Sequence, residues 1–362
     1  MRRLVGLAVF ALAGVGAWSS AAPAAPAAPA AGPAGTAGPA GGAEIAYVTG
    51  TARSQPSVWV AGASGGDARR LADGDEPLLA PDGDTVAASD LGSTGSALSL
   101  YPAGGVGSAA SYFSIADVSA NALAWSPDSR YLAVSLAGDN APSISGYGLA
   151  IIDTETGTEK TIATGVIYGA SFAPGASDML VYARASSLSA SAGTNIYTVA
   201  ADGTGTEQIT TNGRSADPVW GVRGIAFDQA RPRREGPLDQ IWLMQPHGTG
   251  RRQITRIAVG PLESGLAPLA FSADGTRLAA EFEGEDTGIG YSVSLLTGRA
   301  TQLKVGNEAV SAWGISRDGR SVLISVGGFE QPANRGKIEA IPFSGGHPTL
   351  LVAHGDFPSW DR

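Results

Sequence analysis

Short apolar runs separated by polar, glycine-rich turns make up most of this chain, and one combination of run and turn recurs. The clearest copy is Leu123–Val134 (LAWSPDSRYLAV), and a second copy is Leu269–Ala280 (LAFSADGTRLAA). Asp in such a turn hydrogen-bonds its own backbone and Gly tolerates positive φ, so the phrase predicts two strands joined by a tight turn. A phrase repeated at regular spacing indicates a repeat architecture.

The large apolar residue two positions before the Pro-Asp slot marks the register of the repeat. These register residues are Leu79, Trp125, Phe172, Trp220, Phe271, Ile315 and Trp360, at spacings of 44 to 51 residues. Each unit contains room for four short strands, which matches a propeller blade of about 40–45 residues plus loops. Because the register aromatics recur once per blade on a predicted buried strand, we expect them to pack between adjacent sheets.

The two ends of the repeat region predict how a ring would close. Residues 357–362 supply only a first strand, while Glu44–Val48 begins with a second strand. Pairing the two ends completes one blade and leaves only short sheet edges. The sequence therefore predicts an all-β, seven-bladed β-propeller of four-stranded blades. A six-bladed ring remains an alternative if the weakest unit, around Ile315 or Trp220, is discounted.

The Trp-Ser-Pro-Asp phrase followed by Leu-Ala-Val resembles the WD-repeat-like propeller repeat of the TolB C-terminal domain. Similar repeats occur in propellers of prolyl-oligopeptidase-type peptidases and of some polysaccharide lyases. The resemblance covers about residues 44–362 and implies a propeller with an envelope-associated interaction role. Two units depart from the pattern, at Ala173–Asp178 and at Gly221–Gly224, where Gly-Val-Arg-Gly replaces the Pro-Asp turn.

The N-terminal segment reads as an export signal followed by a spacer. Residues 1–21 combine Arg2 and Arg3 with an apolar stretch and a small-residue cleavage site. Residues 22–43 are almost wholly Ala, Pro and Gly, which predicts a disordered linker before a propeller at 44–362. We expect a secreted or envelope-associated protein with no stable membrane span after cleavage. An uncleaved N-terminal anchor is the alternative.

Composition narrows the classes of partner. The net charge is −9, and removal of Arg2 and Arg3 with the signal leaves −11. No basic stripe of the kind that binds nucleic acid is evident. The chain has no cysteine, and its arginine excess over only three lysines is typical of a GC-rich, actinobacterial genome. We expect a monomer that binds a protein or peptide partner, or a cell-wall glycan.

The usual catalytic signatures are weak. Gly62–Gly66 matches the G-x-S-x-G string, but it lies between two predicted strands rather than at a strand-to-helix elbow. Of the three histidines, His247 and His347 fall at tips of outer hairpins, so they are not expected to meet His354 at one metal. No cofactor is therefore predicted, with an oxygen-ligated Ca²⁺ as the alternative.

Acidic and amide residues are concentrated in the loops that enter the innermost strands, around one mouth of the predicted channel. The binding candidates there are Asp73, Asp75, Glu76, Asp117, Asn121, Glu263, Asn307, Glu308, His354 and Asp356. Converging carboxylates would attract cations or basic peptide segments. A basic loop beside them, containing Arg231, Arg233 and Arg234, is a candidate for an anionic partner.

These features favour a secreted, non-catalytic propeller that acts as a binding or protein-interaction scaffold at the cell envelope. The alternative is a carbohydrate-active lyase or hydrolase that uses channel-mouth carboxylates. Glycosidases need two acids roughly 5–10 Å apart, and Glu263, Glu308 and Asp356 are the residues that would supply such a pair. A third hypothesis is that the chain is a sensor domain that has become separate from a larger signalling system.

Overall fold

The computed structural model describes residues 44–50, 56–92, 95–105, 107–113, 118–138, 146–175, 178–189, 192–230, 239–258, 265–283, 288–327 and 336–360. The predicted signal (1–21) and linker (22–43) lie outside these ranges, as do the central parts of most loops between second and third strands. The described part of the chain contains no helical segment with the length and hydropathy of a membrane span.

Seven four-stranded antiparallel sheets follow one another along the chain, and we number the blades in that order. Blade 1 contains β1 (Ile45–Thr49), β2 (Ser57–Ala61) and β3 (Arg69–Asp73), completed by β30 (Asp356–Trp360). Blade 2 contains β4 (Asp75–Leu79), β5 (Thr85–Gly92), β6 (Gly95–Pro102) and β7 (Ala110–Tyr112). Blade 3 contains β8 (Val118–Trp125), β9 (Tyr131–Gly138), β10 (Gly148–Asp153) and β11 (Thr158–Thr164). Blade 4 contains β12 (Val166–Phe172), β13 (Met179–Ala185), β14 (Thr194–Ala200) and β15 (Glu207–Gln208).

The second half of the ring is built in the same way. Blade 5 contains β16 (Ser215–Gly221), β17 (Gly224–Gln229), β18 (Gln240–Met244) and β19 (Arg252–Gln253). Blade 6 contains β20 (Gly265–Phe271), β21 (Arg277–Glu283), β22 (Gly288–Ser294) and β23 (Ala300–Gln302). An extra hairpin, β24 (Lys304–Val305) with β25 (Glu308–Ala309), precedes blade 7. Blade 7 contains β26 (Ser311–Ile315), β27 (Ser321–Val326), β28 (Lys337–Pro342) and β29 (Thr349–Val352).

The prediction of a seven-bladed β-propeller is confirmed, and the six-bladed alternative is wrong. The units around Trp220 and Ile315 each form a complete four-stranded sheet. The ring closes by pairing of the N- and C-terminal strands, as predicted. β30 pairs with β1, and Ile45 lies opposite Trp360. The extra hairpin between blades 6 and 7 has no counterpart in the repeat, and the repeat pattern gave no sign of it.

Among the residues that the structure describes, the hydrophobic core consists of seven clusters, one at each interface between neighbouring blades. Each of the seven register residues belongs to a different cluster and packs against the preceding blade. Trp125 is buried at 8% exposure, and its indole Nε1 donates a hydrogen bond to the Leu78 carbonyl of blade 2 at 3.0 Å. The expected packing of the register residues between sheets is therefore confirmed.

The turns between first and second strands are stabilised by their own polar residues. In blade 6 the Ser272 hydroxyl donates to Asp274 Oδ1 at 2.7 Å, and the Thr276 backbone N–H donates to the same oxygen at 3.0 Å. The same bonds recur in blades 3 and 7 around Asp128 and Asp318. Blade 5 instead forms a two-residue turn, because Gly221 pairs with Gly224.

Candidate functional site: the channel mouth

The innermost strands carry a bulge where they approach the channel mouth, the face on which the chain enters each blade. In four blades the bulged residue lies three positions before the register residue and has a left-handed backbone. These residues are Glu76 (φ 50°), Gly169 (φ 81°), Asp217 (φ 45°) and Phe357 (φ 49°). The pairing register shifts at each of the four points. The bulges of blades 1, 2, 4 and 5 therefore present equivalent positions around the mouth.

A proline follows three of these bulged residues. Pro77, Pro218 and Pro358 come directly after Glu76, Asp217 and Phe357. Proline donates no hydrogen bond to a sheet, so it occurs mainly at edges and bulges. The innermost strand is such an edge, because one side faces the channel instead of another strand. In blade 4 the bulged residue is Gly169, where an added Cβ would lie 3.1 Å from the Cα of Asp217 in blade 5.

Two of the predicted carboxylates bond to the backbone of these bulges. Asp75 Oδ1 accepts a hydrogen bond from the Glu76 backbone N–H at 3.0 Å, and Asp356 Oδ1 accepts one from the Phe357 N–H at 2.9 Å. Asp356 is 4% exposed. Asp75 therefore orients Glu76, and Asp356 orients Phe357. Glu76 and Phe357 are the bulged residues at the mouth.

The mouth also contains an aromatic pair that spans the closure of the ring. The rings of Trp313 in blade 7 and Phe357 in blade 1 meet edge to face, with centroids 5.2 Å apart. The Trp313 indole Nε1 donates to the Ser325 hydroxyl at 2.9 Å, which fixes the orientation of the indole. Both side chains are partly exposed. The mouth thus combines the acids Glu76 and Asp217, which are also partly exposed, with two aromatic rings.

The other predicted mouth residues are in varied settings. Asn121 lies on β8, where its side-chain oxygen accepts a hydrogen bond from the Ser89 hydroxyl of blade 2 at 3.2 Å. Asp73, at the end of β3, is exposed and forms an ion pair with Arg70. Asn307 and Glu308 are exposed on the extra hairpin, and His354 is exposed just before β30.

The remaining candidates lie outside the described residues. They are Asp117, Glu263, Arg231, Arg233 and Arg234. Within the described ranges, no three His, Asp or Glu side chains are arranged to hold a metal ion. His247 and His347 are exposed at outer hairpins, and His247 Nδ1 lies 3.8 Å from Glu207 Oε2.

The G-x-S-x-G string forms a turn between antiparallel strands. The Gly65 backbone N–H donates to the Gly62 carbonyl at 2.8 Å, and the string joins β2 to β3. An added Cβ on Gly65 would overlap the Leu351 carbonyl of blade 7, which explains glycine at this position. The string therefore lacks the strand-to-helix setting in which it presents a nucleophile.

Comparison with solved structures gives similarity at the level of the fold. TolB from Acinetobacter baumannii matches with 16% identity and a TM-score of 0.52, over 88% of this chain and 66% of that chain. The propeller domain of the Trilobed protease from Pyrococcus furiosus matches with 14% identity and a TM-score of 0.59, over 87% and 96%. An oligogalacturonate lyase in complex with manganese matches with 14% identity and a TM-score of 0.54, over 84% of each chain.

These similarities confirm a β-propeller that is TolB-like in fold. The chain spans slightly less than two thirds of the TolB that it matches. No family model matches the chain, and no curated protein matches it. Because the neighbours include a lyase and a protease as well as TolB, the fold is compatible with both catalytic and non-catalytic roles.

The repeat pattern predicts Glu76 as a mouth residue but does not predict Asp217, Phe357 or Trp313 there. Asp217 and Phe357 lie inside the innermost strands, whereas the predicted binding residues were placed in the loops that precede those strands. A usable signal was present in Pro77, Pro218 and Pro358, because proline inside a predicted strand indicates a bulge or an edge. Trp313 was not predicted because the register residue of blade 7 is Ile315, so Trp313 does not occupy the repeated aromatic position.

Proposed function

We propose that this protein is a secreted, non-catalytic propeller that binds a protein partner through its channel mouth. The observation that carries the proposal is the set of left-handed bulges that place Glu76, Asp217 and Phe357 at equivalent positions around the mouth. A left-handed backbone at a residue other than glycine costs on the order of 1–3 kcal/mol. Strain of this kind is concentrated at ligand-binding and active sites.

The chemistry of the mouth suits a basic, extended segment of the partner. Glu76 and Asp217 supply negative charge, and the Trp313–Phe357 pair supplies aromatic surface beside it. Arginine and lysine side chains are attracted both to carboxylates and to aromatic faces. The net charge of −9 adds a long-range attraction for a basic partner. The partner class is therefore a cationic peptide segment.

The setting of the acids favours binding over catalysis. A glycosidase needs one acid and one base or nucleophile directed at the same bond. Asp75 and Asp356 instead accept hydrogen bonds from their own bulges, and Glu308 is exposed on a separate hairpin. The similarity to TolB in fold supports an interaction role at the envelope, while the lyase among the structural neighbours keeps the enzyme as the competing function.

A parallel assay for binding and turnover separates the two functions. The mature protein is incubated with a panel of cell-wall and plant oligosaccharides, with and without Ca²⁺ or Mn²⁺, and with peptides of graded net charge. We expect saturable binding of basic peptides and no change in any oligosaccharide. Oligosaccharide cleavage that is lost in Glu308→Gln would contradict the proposal and establish the enzyme instead.

A further inference from the structure

The face opposite the channel mouth is built from short connections, and we call it the turn face. It contains the turns that join the first strand of each blade to the second, and the hairpins that join the third strand to the fourth. Residues 80–84, 126–130 and 316–320 are examples of the turns, and residues 201–206 and 295–299 are examples of the hairpins. Charged side chains on these connections lie at the surface of one face of the ring.

Blades 1–4 make one half of the turn face acidic. Between the strands of this half, the described residues include eight exposed carboxylates and one arginine. The carboxylates belong to Glu44, Asp67, Asp82, Asp84, Asp128, Glu155, Asp178 and Asp202. The arginine, Arg130, lies 2.9 Å from carboxylate oxygens of both Asp153 and Glu155, so acids of its own blade already neutralise it. This half therefore has a large excess of negative charge.

Blades 5–7 make the other half basic, although the whole chain carries −9. Between the strands of this half, the described residues include five exposed arginines and two aspartates. The arginines are Arg223, Arg251, Arg299, Arg317 and Arg320. The aspartates, Asp274 and Asp318, lie beside Arg223 and Arg320 respectively. The arginines outnumber the aspartates, so an excess of positive charge remains on this half.

The hydrogen bonds of the turns do not explain why the charges are separated. The aspartate that accepts the turn hydrogen bonds is present in both halves, as Asp128 in blade 3 and Asp318 in blade 7. The sign differs at a position whose side chain forms none of these bonds. The residue just before the second strand is Asp84 in blade 2 and Arg320 in blade 7. The separation of charge is therefore a property of the face and not of the repeat.

The basic half also exposes apolar surface. Val222, in the turn of blade 5, is 60% exposed, and Leu296, in the hairpin of blade 6, is 70% exposed. They are two of the four large apolar side chains that are exposed in the described part of the chain. Exposed apolar surface among polar residues is typical of protein–protein contacts.

We propose that two copies of this chain associate through their turn faces about a two-fold axis. In a two-fold interface the same surface is used by both copies, so it must be complementary to itself. An axis that lies in the interface, along the boundary between the two halves, places blades 1–4 of each copy over blades 5–7 of the other. Opposite charges then meet on both sides of the axis. A polyanion or a polycation matches only one half, whereas a second copy matches both.

This dimer replaces the monomer expected from the sequence, and it leaves the channel mouths uncovered. Because the turn face is opposite the mouth, the two mouths of the dimer point in opposite directions. Two partner molecules, or two sites on one partner, can therefore be held at once, which raises the overall affinity for a multivalent partner. The dimer itself depends on the turn face alone.

Sedimentation velocity at two salt concentrations tests whether the dimer forms. Exposed ion pairs are individually weak and are screened by salt, with a Debye length of about 30 Å at about 10 mM and about 3 Å at about 1 M. Over a series of protein concentrations, we expect a monomer–dimer equilibrium in the dilute salt and a monomer in the concentrated salt. A monomer at every concentration in dilute salt, or association that salt leaves unchanged, would overturn the proposal.

Charge reversal tests which surface forms the dimer. The basic-half variant is Arg299→Glu/Arg317→Glu/Arg320→Glu. The acidic-half variant is Asp84→Lys/Glu155→Lys/Asp178→Lys. Each variant alone is expected to dimerise at least about ten-fold more weakly than wild type, because like charges now face each other. An equimolar mixture of the two is expected to restore the dimer, because the reversed half of one variant faces the reversed half of the other.

The matched control reverses three exposed cations on the mouth side of the ring, as Arg256→Glu/Lys304→Glu/Lys337→Glu. This mouth-side variant is expected to dimerise as wild type does, and its mixture with the acidic-half variant is not expected to restore the wild-type affinity. All variants are expected to sediment as the wild-type monomer in concentrated salt, which verifies their fold. Equal loss in the basic-half and mouth-side variants, or equal restoration by both mixtures, would overturn association through the turn faces.

Discussion

At the scale of single residues, the register aromatics hold neighbouring blades together. Trp125 shows this most clearly, because its ring fills the interface between blades 2 and 3 while its indole N–H bonds to the Leu78 carbonyl. From the sequence alone, aromatic residues that recur once per repeat could be taken for a set that stacks against sugar rings. The packing of each member against the preceding blade makes these residues part of the core instead.

We predict that Trp125→Ala lowers the free energy of unfolding by about 3–5 kcal/mol, as for other buried aromatic residues. Trp125→Phe keeps most of the packing and leaves the Leu78 carbonyl without its donor, so its cost should be smaller, about 1–3 kcal/mol. Urea denaturation of the three proteins measures both values. A Trp125→Ala protein as stable as wild type would contradict the core role.

At the scale of elements, the Ser-x-Asp-Gly turn is a self-contained hydrogen-bonding unit. Bonds from the Thr276 backbone N–H, the Ser272 hydroxyl and the Thr276 hydroxyl lower the pKa of Asp274 from its ordinary 3.8 to about 2. The pKa of Asp318 in the equivalent turn is lowered by the Arg320 backbone N–H and the Ser316 hydroxyl. The ionised carboxylates thus stabilise the folded turns.

The lowered pKa of Asp274 fixes the sign of its pH dependence. A carboxylate whose folded pKa is depressed contributes its full stability above pH 3.8 and loses it as the pH falls toward about 2. We predict that Asp274→Asn is less stable than wild type at pH 7 and loses less stability between pH 4 and pH 2. Thermal unfolding of both proteins between pH 4 and pH 2 measures this difference in stability. The Asp84→Asn variant is the control. Parallel curves for wild type and Asp274→Asn would contradict the assignment.

The bulges of the innermost strands hold residues other than glycine in a left-handed backbone conformation. We predict that Asp217→Gly is more stable than Asp217→Ala by about 1 kcal/mol, because alanine keeps the left-handed strain and glycine does not. Both variants lose the carboxylate, so the comparison isolates the backbone. In an ordinary strand the order would be reversed. Alanine equal to or better than glycine in urea denaturation would show that Asp217 is unstrained.

The sequence predicts those elements whose structure is determined by residues close together in the chain. The Ser126–Arg130 turn and the register residue Trp125 are short patterns that carry their own hydrogen bonds and burial, so the blades were predictable. The left-handed backbone of Asp217 lies close to Gly169 of the neighbouring blade and at the open edge along the channel, and a single repeat displays neither of these surroundings. The mouth was therefore located only roughly, and the β24–β25 hairpin was missed.

At the scale of the whole molecule, the ring is closed by one strand from the far end of the chain. β30 pairs with β1, and the Ser359 hydroxyl accepts a hydrogen bond from the Leu79 backbone N–H of blade 2 at 3.1 Å. Closure also brings Phe357 beside Trp313, so the same strand completes the fold and the mouth.

Removal of residues 356–362 should therefore abolish cooperative unfolding of the complete ring, because it deletes the innermost strand of blade 1 and exposes an unpaired edge. Truncation after Trp360 is the control, since it leaves β30 intact. Differential scanning calorimetry distinguishes the two truncated proteins. A single transition at the wild-type temperature for the shorter protein would contradict closure by β30.

The most direct test of the central claim is the affinity of a basic peptide for the protein when negative charge is removed from the mouth. The Glu76→Gln/Asp217→Asn variant should bind about ten-fold more weakly than wild type, equivalent to about 1.4 kcal/mol. The matched Asp84→Asn/Glu207→Gln variant removes two exposed carboxylates away from the mouth and should bind as wild type does. Equal weakening in both variants, or none in the mouth variant, would contradict binding at the channel mouth.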